Sequence, residues 1–140
     1  DMYYIGEGVP KDLKEAAKWI HKAAEQRYAH AQYTLGVMYR KGEGVPQDDK
    51  EGLKWWRKAA EQGYVRAQSN LGVMYQYGRG GVERNLVTAY AWWNIAASNG
   101  EQNAKKGLPQ LVKLMIPAQI AKAEELVKEM VKKNPKLLNK

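Results

Sequence analysis

The chain has 140 residues, which fits one domain, and its hydrophobic content of 44% supports an ordinary core. Cysteine is absent, which excludes disulfides, thiolate metal ligands and cysteine nucleophiles, and no stretch approaches the roughly 20 apolar residues of a membrane span. Of the formal net charge of +8, residues 102–140 carry +6 (nine Lys, three Glu), which indicates a solvated C-terminal surface or, as the alternative, a surface for an anionic partner.

The sequence repeats with an offset of 36 residues. Residues 35–39 (Leu-Gly-Val-Met-Tyr) recur at 71–75, residues 22–26 (Lys-Ala-Ala-Glu-Gln) at 58–62, and residues 6–10 (Gly-Glu-Gly-Val-Pro) at 42–46. A fixed period of this length is typical of stacked helical repeats. The sequence therefore predicts an all-α chain whose function is binding on the surface of the stack.

The first repeat, residues 1–28, is incomplete. Residues 1–3 align with residues 37–39, so we expect the chain to begin within a longer array. A helix is predicted from about Leu13 to Glu25, with Asp12 as its N-cap and Glu15 completing a capping box. Without a helix before it, this edge would expose an apolar face. We therefore expect the edge to fray or to be covered by a neighbouring chain, which would be a route to self-association.

The second repeat, residues 29–65, predicts two helices joined by a glycine-containing loop. Apolar residues at 31, 35, 38 and 39 have helical spacing, and Gly42 follows as a left-handed exit. Asp48, with Glu51 three residues later, predicts the start of the second helix, which ends at Gly63.

The third repeat, residues 66–103, has the same plan with one extra residue in the loop at 78–82, and Asn85 is its predicted N-cap. Residues 101–133 predict a C-terminal capping helical hairpin. Pro109 falls within its first helix, and Pro117 suits the first turn of the second. Residues 134–140 form a basic tail for which we predict disorder.

Residues that could carry chemistry are scattered. His21 and His30 fall on different predicted helices without further metal-ligating residues nearby. Asp48 is interpreted as a helix cap and Asp49 as a surface charge. Ser69 and Ser98 have no predicted general base beside them that could activate a nucleophile. The glycines at 78, 80 and 81 lack the strand and the Lys-Ser/Thr pair of a phosphate-binding loop. The sequence therefore predicts no catalytic, cofactor or metal site.

These repeats resemble the Sel-one-like repeat family, a relative of the tetratricopeptide repeats. The matching positions are Ala31, Leu35, Gly36, Met38, Tyr39, Gly42, Gly44, Val45, Asp48, Trp55, Lys58, Ala59, Ala60 and Gly63. The resemblance covers roughly residues 1–100 and implies a right-handed α-solenoid of stacked antiparallel helix pairs. It also implies a bacterial adaptor for protein complexes, with the periplasm or the medium as its location.

Two departures from the repeat pattern carry a physical cost. Arg27 replaces the helix-ending glycine found at Gly63 and Gly100, and because a left-handed backbone costs about 1–2 kcal/mol at such a residue, we expect a different exit there. Gly52 stands in mid-helix where the other repeats have alanine, at a cost of roughly 1 kcal/mol.

In tetratricopeptide-type stacks the first helix of each repeat lines a concave groove, so the resemblance implies where a protein or peptide partner binds. The predicted groove residues are Tyr33, Thr34, Val37, Arg40, Lys41, Ser69, Asn70, Val73, Gln76 and Tyr77, with Tyr4 and Ile5 as an extension. We expect Tyr33 and Arg40 to contribute to binding and little to stability. Tyr and Arg suit such recognition because they supply rigid contact area and a bidentate donor.

Two other functions stay open. A nucleic-acid or anionic-surface binder would use the basic C-terminal segment, but needs its lysines in one stripe near aromatic residues. A hydrolase would need a pocket with convergent polar groups. A non-catalytic protein-interaction scaffold is the leading hypothesis because the repeats supply a surface and no catalytic constellation accompanies them.

Overall fold

The computed structural model describes residues 9–138, in which seven α-helices and one short 3-10 helix occur without any strand. The helices are α1 (Val9–Glu25), α2 (Ala29–Lys41), α3 (Asp49–Glu61), α4 (Val65–Tyr77), α5 (Leu86–Ser98), α6 (Gln102–Val112) and α7 (Pro117–Lys133), followed by the 3-10 helix Pro135–Leu137. From α1 to α6 each helix packs on the next, with the antiparallel pairs α2–α3 and α4–α5 as the most extensive contacts. The architecture is the predicted right-handed α-solenoid. Between residues 9 and 138, no helix is both long and apolar enough to cross a membrane.

The side chains predicted to start helices do so in the second and third repeats. The Asp48 carboxylate accepts from the amides of Lys50 (3.1 Å) and Glu51 (3.2 Å), and the Asn85 side chain accepts from the amide of Thr88 (3.0 Å). These bonds satisfy backbone donors that a helix start otherwise leaves unpaired. The two predicted N-caps are therefore confirmed.

Two details of the predicted helix starts are wrong. Glu51 does not complete a capping box, because the Asp48 amide donates to the Tyr39 carbonyl (2.8 Å) and the Glu51 carboxylate lies 3.6 Å from the Lys54 ammonium. Helix α1 begins at Val9, so Asp12 lies in its first turn instead of capping it. The backbone of the preceding residues continues the helix without needing that cap.

Two tryptophans hold the helix pairs together. The indole N–H of Trp56 donates to the carbonyl of Tyr33, and that of Trp93 donates to the carbonyl of Ser69, each at 3.1 Å. The indoles lie against glycine: a Cβ added at Gly36 would be 2.4 Å from Trp56 Cδ1, and one at position 72 would be 1.6 Å from Trp93 Cδ1. Glycine is needed at both positions because two helices could not otherwise approach this closely.

The predicted change of exit at Arg27 is wrong. Arg27 has φ 73°, in the same left-handed region as Gly63 (92°) and Gly100 (94°). The turns also have the same hydrogen-bond pattern. The amide of the residue after each left-handed position donates to the carbonyl five residues earlier, from Tyr28 to Ala23 (3.3 Å) and from Tyr64 to Ala59 (3.1 Å). The geometry of the stack therefore overrides the local preference of the arginine.

Arg27→Gly should raise the free energy of unfolding by about 0.5–1 kcal/mol, since relief of the left-handed strain exceeds the entropy cost of glycine. Arg27→Ala is the control, because it removes the same side chain but keeps the strain. Urea denaturation of the three proteins would test this. An Arg27→Ala protein as stable as Arg27→Gly would show that the side chain, and not the backbone, carries the cost.

The C-terminal segment differs from its prediction. Helices α6 and α7 each pack mainly on α5, so the expected hairpin is replaced by two helices on a common support, and α6 runs through Pro109 without ending. The tail predicted to be disordered is ordered over residues 134–138. Leu137 is buried in the core, and the Asn134 side-chain amide donates to the carbonyl of Glu61 (2.7 Å).

Candidate functional site

The predicted groove residues fall into three groups by exposure. Lys41 and Tyr77 are exposed, and Ser69 and Gln76 are buried; the half-buried members are Tyr33, Thr34, Val37, Arg40, Asn70 and Val73. Tyr4 and Ile5 lie outside the described residues. The ten residues on α2 and α4 are therefore not equally available to a partner.

Tyr33 contributes to the packing of the stack. Its ring stacks on that of Trp56, with centroids 6.2 Å apart, and lies 5.2 Å from the ring of Tyr64. Offset and tilted aromatic pairs of this kind stabilise beyond the area they bury. Tyr33 thus joins α2 to α3 and to the residue that precedes α4, and its replacement would cost stability, contrary to the sequence-based expectation.

Arg40 also links helices. Its guanidinium lies over the Trp56 ring at 5.5 Å, and Nη1 lies 3.3 Å from Met74 Sδ on α4. Nε lies 3.6 Å from Asp49 Oδ1, too far for a hydrogen bond. Gly52 makes room for this side chain, because a Cβ there would be 2.7 Å from Arg40 Cγ. The unusual mid-helix glycine is thereby explained by the arginine opposite it.

Ser69 and Gln76 do not face solvent, so their prediction as groove residues is corrected. The Ser69 hydroxyl donates to Glu101 Oε1 (2.7 Å), and Glu101 caps α6 by accepting from the amides of Ala104 and Asn103. Burial raises the pKa of the Glu101 carboxyl, but the hydrogen bonds from Ser69 and the two amides outweigh it and hold that pKa below its usual value. Ser69 is thus used to join α4 to α6.

Six of the predicted residues remain as a surface, which we call the A-helix face: Thr34, Val37, Lys41, Asn70, Val73 and Tyr77. They occupy positions 34, 37 and 41 of α2 and the positions 36 residues later on α4. Spacings of three and four place them on one side of each helix. Tyr77 is 57% exposed, with the Arg79 guanidinium 5.1 Å from its ring centroid.

Two of the three pairs of equivalent positions on the A-helix face differ between the repeats, whereas the third, Val37 and Val73, is repeated like the core. Buried Leu35 and Met38 recur as Leu71 and Met74. On the surface, Thr34 is replaced by Asn70 and Lys41 by Tyr77. Packing between helices requires the same core side chains in every repeat, whereas the binding of a partner does not require the same surface side chains.

The two histidines make ordinary packing contacts. The ring of His21 meets the Trp55 ring edge-on at 5.5 Å, and His30 Nδ1 lies 2.6 Å from the Tyr64 hydroxyl. Among the described residues, no group of three or more His, Cys, Asp or Glu side chains could hold a metal ion.

A second polar site, which sequence reasoning missed, lies at the edge where α1 and α3 end. A cavity of about 390 Å³ is lined by Arg27, Gln32, Lys58, Glu61, Gln62, Asn134 and Lys136. Gln32 is only 4% exposed, and its side chain joins α1 to the loop after α3. The signal in the sequence was the recurrence of Gln32 as Gln68, a polar residue in a repeated core position.

The model of the Sel1 repeat family matches residues 1–28, 29–64 and 65–101. The chain belongs to the Sel1 repeat family. Proteins with these repeats commonly act as protein-interaction scaffolds and are generally non-catalytic. Comparison with curated proteins gives no match.

Two solved structures resemble this Sel1 repeat chain. One is the crystal structure of c5321, a protective antigen present in uropathogenic Escherichia coli strains and displaying an SLR fold; it is 34% identical with a TM-score of 0.85, and the match covers 99% of this chain and 29% of that one. The other is a Sel1 repeat protein from Oxalobacter formigenes, 38% identical with a TM-score of 0.68 over 76% of this chain and 44% of that one. The chain thus spans less than half the length of either protein.

Proposed function

We propose that this chain is a non-catalytic scaffold that binds a protein or peptide partner on the concave face of its repeats, through the A-helix face. The observation that carries the proposal is the contrast between a repeated core and the surface positions 34/70 and 41/77, where α2 and α4 carry different residues. A half-apolar strip with Val37, Val73 and an exposed tyrosine fits the composition of protein interfaces.

The basic C-terminal segment supports the nucleic-acid alternative less well. Residues 94–140 contain no Trp, Tyr or Phe, so their lysines have no aromatic platform among them on which bases could stack. Single-stranded nucleic acid binding draws part of its affinity from such stacking. The charge of this segment is therefore better explained by solvation than by base recognition.

The test uses Lys41 and Tyr77, because Tyr33 and Arg40 pack on Trp56 and their loss would mix binding with stability. We expect Lys41→Ala with Tyr77→Ala to change the free energy of unfolding by less than about 0.5 kcal/mol but to abolish capture of a partner from cell lysate and culture medium. Leu114→Ala is the matched control, since Leu114 is 55% exposed and lies outside the face.

Direct contact is measured by placing a photo-crosslinking amino acid at position 77 and, separately, at position 114. The same partner should be captured by the wild type and cross-linked from position 77 only. Equal capture by the double variant, or cross-links from position 114 alone, would move the interface off α2 and α4.

A further inference from the structure

One arrangement of side-chain amides occurs twice in the stack. Gln32 Nε2 donates to the carbonyl of Ala24 (3.2 Å), and Gln68 Nε2 donates to that of Ala60 (3.1 Å). Each glutamine oxygen accepts from an amide in the loop after the next helix, Gln32 from Gln62 (2.8 Å) and Gln68 from Asn99 (2.9 Å). The two amide pairs are equivalent parts of successive repeats.

The second pair holds a peptide backbone. Gln68 Nε2 and Asn99 Nδ2 both donate to the carbonyl oxygen of Leu137, each at 2.9 Å. Gln68 is fully buried, and the Leu137 side chain is buried in the core beside it. This pair is therefore a two-donor site for a main-chain oxygen, occupied by the protein's own C-terminal segment.

The first pair presents the same donors to the cavity. A primary amide nitrogen carries two hydrogens. Within residues 9–138, Gln32 Nε2 and Gln62 Nε2 each donate to one acceptor, and both residues line the 390 Å³ cavity. Gln32 is 96% buried, so an unpaired hydrogen there is costly unless an acceptor enters the cavity.

The charge around the first pair differs from that around the second. Arg27, Lys58 and Lys136 line the cavity with Glu61 as the acidic member, a formal excess of two positive charges. Around the second pair, the positions of Arg27 and Lys58 are taken by Gly63 and Ile95. Helices α1 and α3 end at this edge and α2 begins there, so the helix dipoles leave about half a negative charge, which the excess of two positive side-chain charges outweighs. The first site thus favours an anionic oxygen acceptor.

We propose that this cavity binds a carboxylate of a peptide, with Gln32 and Gln62 as hydrogen-bond donors and Arg27, Lys58 and Lys136 as counter-charges. A peptide is favoured over a small anion because the equivalent site holds a peptide segment and a cavity of this volume accommodates several atoms beyond the carboxylate. The carboxylate is either a chain end or an Asp or Glu side chain. This site is separate from the A-helix face and does not depend on the function proposed for that face.

The first experiment titrates the ¹⁵N-labelled full chain with acetyl-Asn-Pro-Ala-Leu bearing a free carboxylate, with the same peptide as its amide, and with an amidated peptide that has Glu in place of Ala. We expect the carboxylate peptide to shift the side-chain NH₂ signals of Gln32 and Gln62 and to bind about tenfold more tightly than the amide. Tight binding of the amidated Glu peptide would assign the site to side-chain carboxylates, and its failure to a chain end. Equal binding of carboxylate and neutral amide peptides, or of acetate alone and the peptide, would overturn the proposal.

The second experiment compares variants of the cavity. Lys58→Gln and Arg27→Gly should each lower the affinity for the carboxylate peptide about fivefold and leave the affinity for the amide peptide unchanged. Lys106→Gln is the matched control, because it removes one exposed charge on α6, outside the cavity lining. Arg27→Gly should weaken binding while raising the Tm, a combination that loss of folding cannot produce. Unchanged affinity in both cavity variants, or an equal loss of affinity in Lys106→Gln, would contradict the proposed site.

Discussion

Trp55→Ala is expected to lower the free energy of unfolding by about 3–5 kcal/mol, the range for truncation of a large buried aromatic. Trp55 is 6% exposed and forms a core cluster with Ala24 and Leu35, so its ring joins three successive helices. The ring also lies within 5.5 Å of the Lys54 and Lys58 ammonium groups. Truncation would therefore leave a cavity between α1, α2 and α3 that the neighbouring alanines cannot fill.

Trp55→Phe separates the volume of the ring from its polar atom. The Trp55 indole N–H is buried and has no hydrogen-bond partner among the described residues, so phenylalanine removes no bond there. Trp93→Phe does remove one, from the buried indole to the Ser69 carbonyl. We expect Trp55→Phe to cost less than Trp93→Phe by about 1 kcal/mol.

Urea denaturation followed by circular dichroism gives both comparisons. Because Trp fluorescence changes with these substitutions, a probe of helix content is preferable. A Trp55→Ala protein with the denaturation midpoint of the wild type would contradict the packing described for the first helix interface.

Local chemistry was sufficient to predict where α3 and α5 start. Asp48 and Asn85 cap the next turn, and such bonds join residues two or three apart, so the sequence shows both partners at once. The close approach at Gly36 and Gly72 was predictable because packing in each repeat demands the same small residue. The sequence does not show directly which helices pack together, but the recurrence of these residues indicated which positions lie at a helix contact.

Features that depend on distant partners were not predictable. Leu137 is ordered because Gln68 and Asn99, 69 and 38 residues away, hold its carbonyl, and a tail rich in lysine gives no sign of this. Ser69 was assigned to the surface because its pairing with Glu101 spans 32 residues. Arg27 shows the converse error. Arginine does disfavour a left-handed backbone, as assumed, but the packing of the stack imposes that conformation all the same.

The two candidate surfaces differ in how the fold supplies them. On the A-helix face, positions 34, 41, 70 and 77 lie outside the core clusters and vary between repeats at little cost to packing, whereas Val37 and Val73 also pack against the core. The cavity beside Gln32 is built from the packing itself, since the amide that joins α1 to α3 is also the proposed donor. Substitution should therefore separate binding from stability on the face more cleanly than at the cavity.

Gly72→Ala is expected to lower the free energy of unfolding by about 3 kcal/mol or more, although alanine is the better helix former by roughly 1 kcal/mol. The sign is decided by Trp93, because the added Cβ would lie 1.6 Å from Cδ1 and 2.1 Å from Nε1 of that buried ring. Trp93 cannot retreat, since a Cβ at Gly107 on its other side would already be 1.9 Å from Cζ3.

A double-mutant cycle with Trp93→Ala tests this cause. If the clash with the indole carries the cost, Gly72→Ala should be neutral or stabilising once the indole is gone, a coupling energy of about 3 kcal/mol. The same loss in both backgrounds would mean that position 72 needs glycine for its backbone and not for the tryptophan. Coupling of this size would establish that the third repeat closes by direct packing of an indole against glycine backbone, and the same contact between Gly36 and Trp56 explains why glycine and tryptophan recur together in the second repeat.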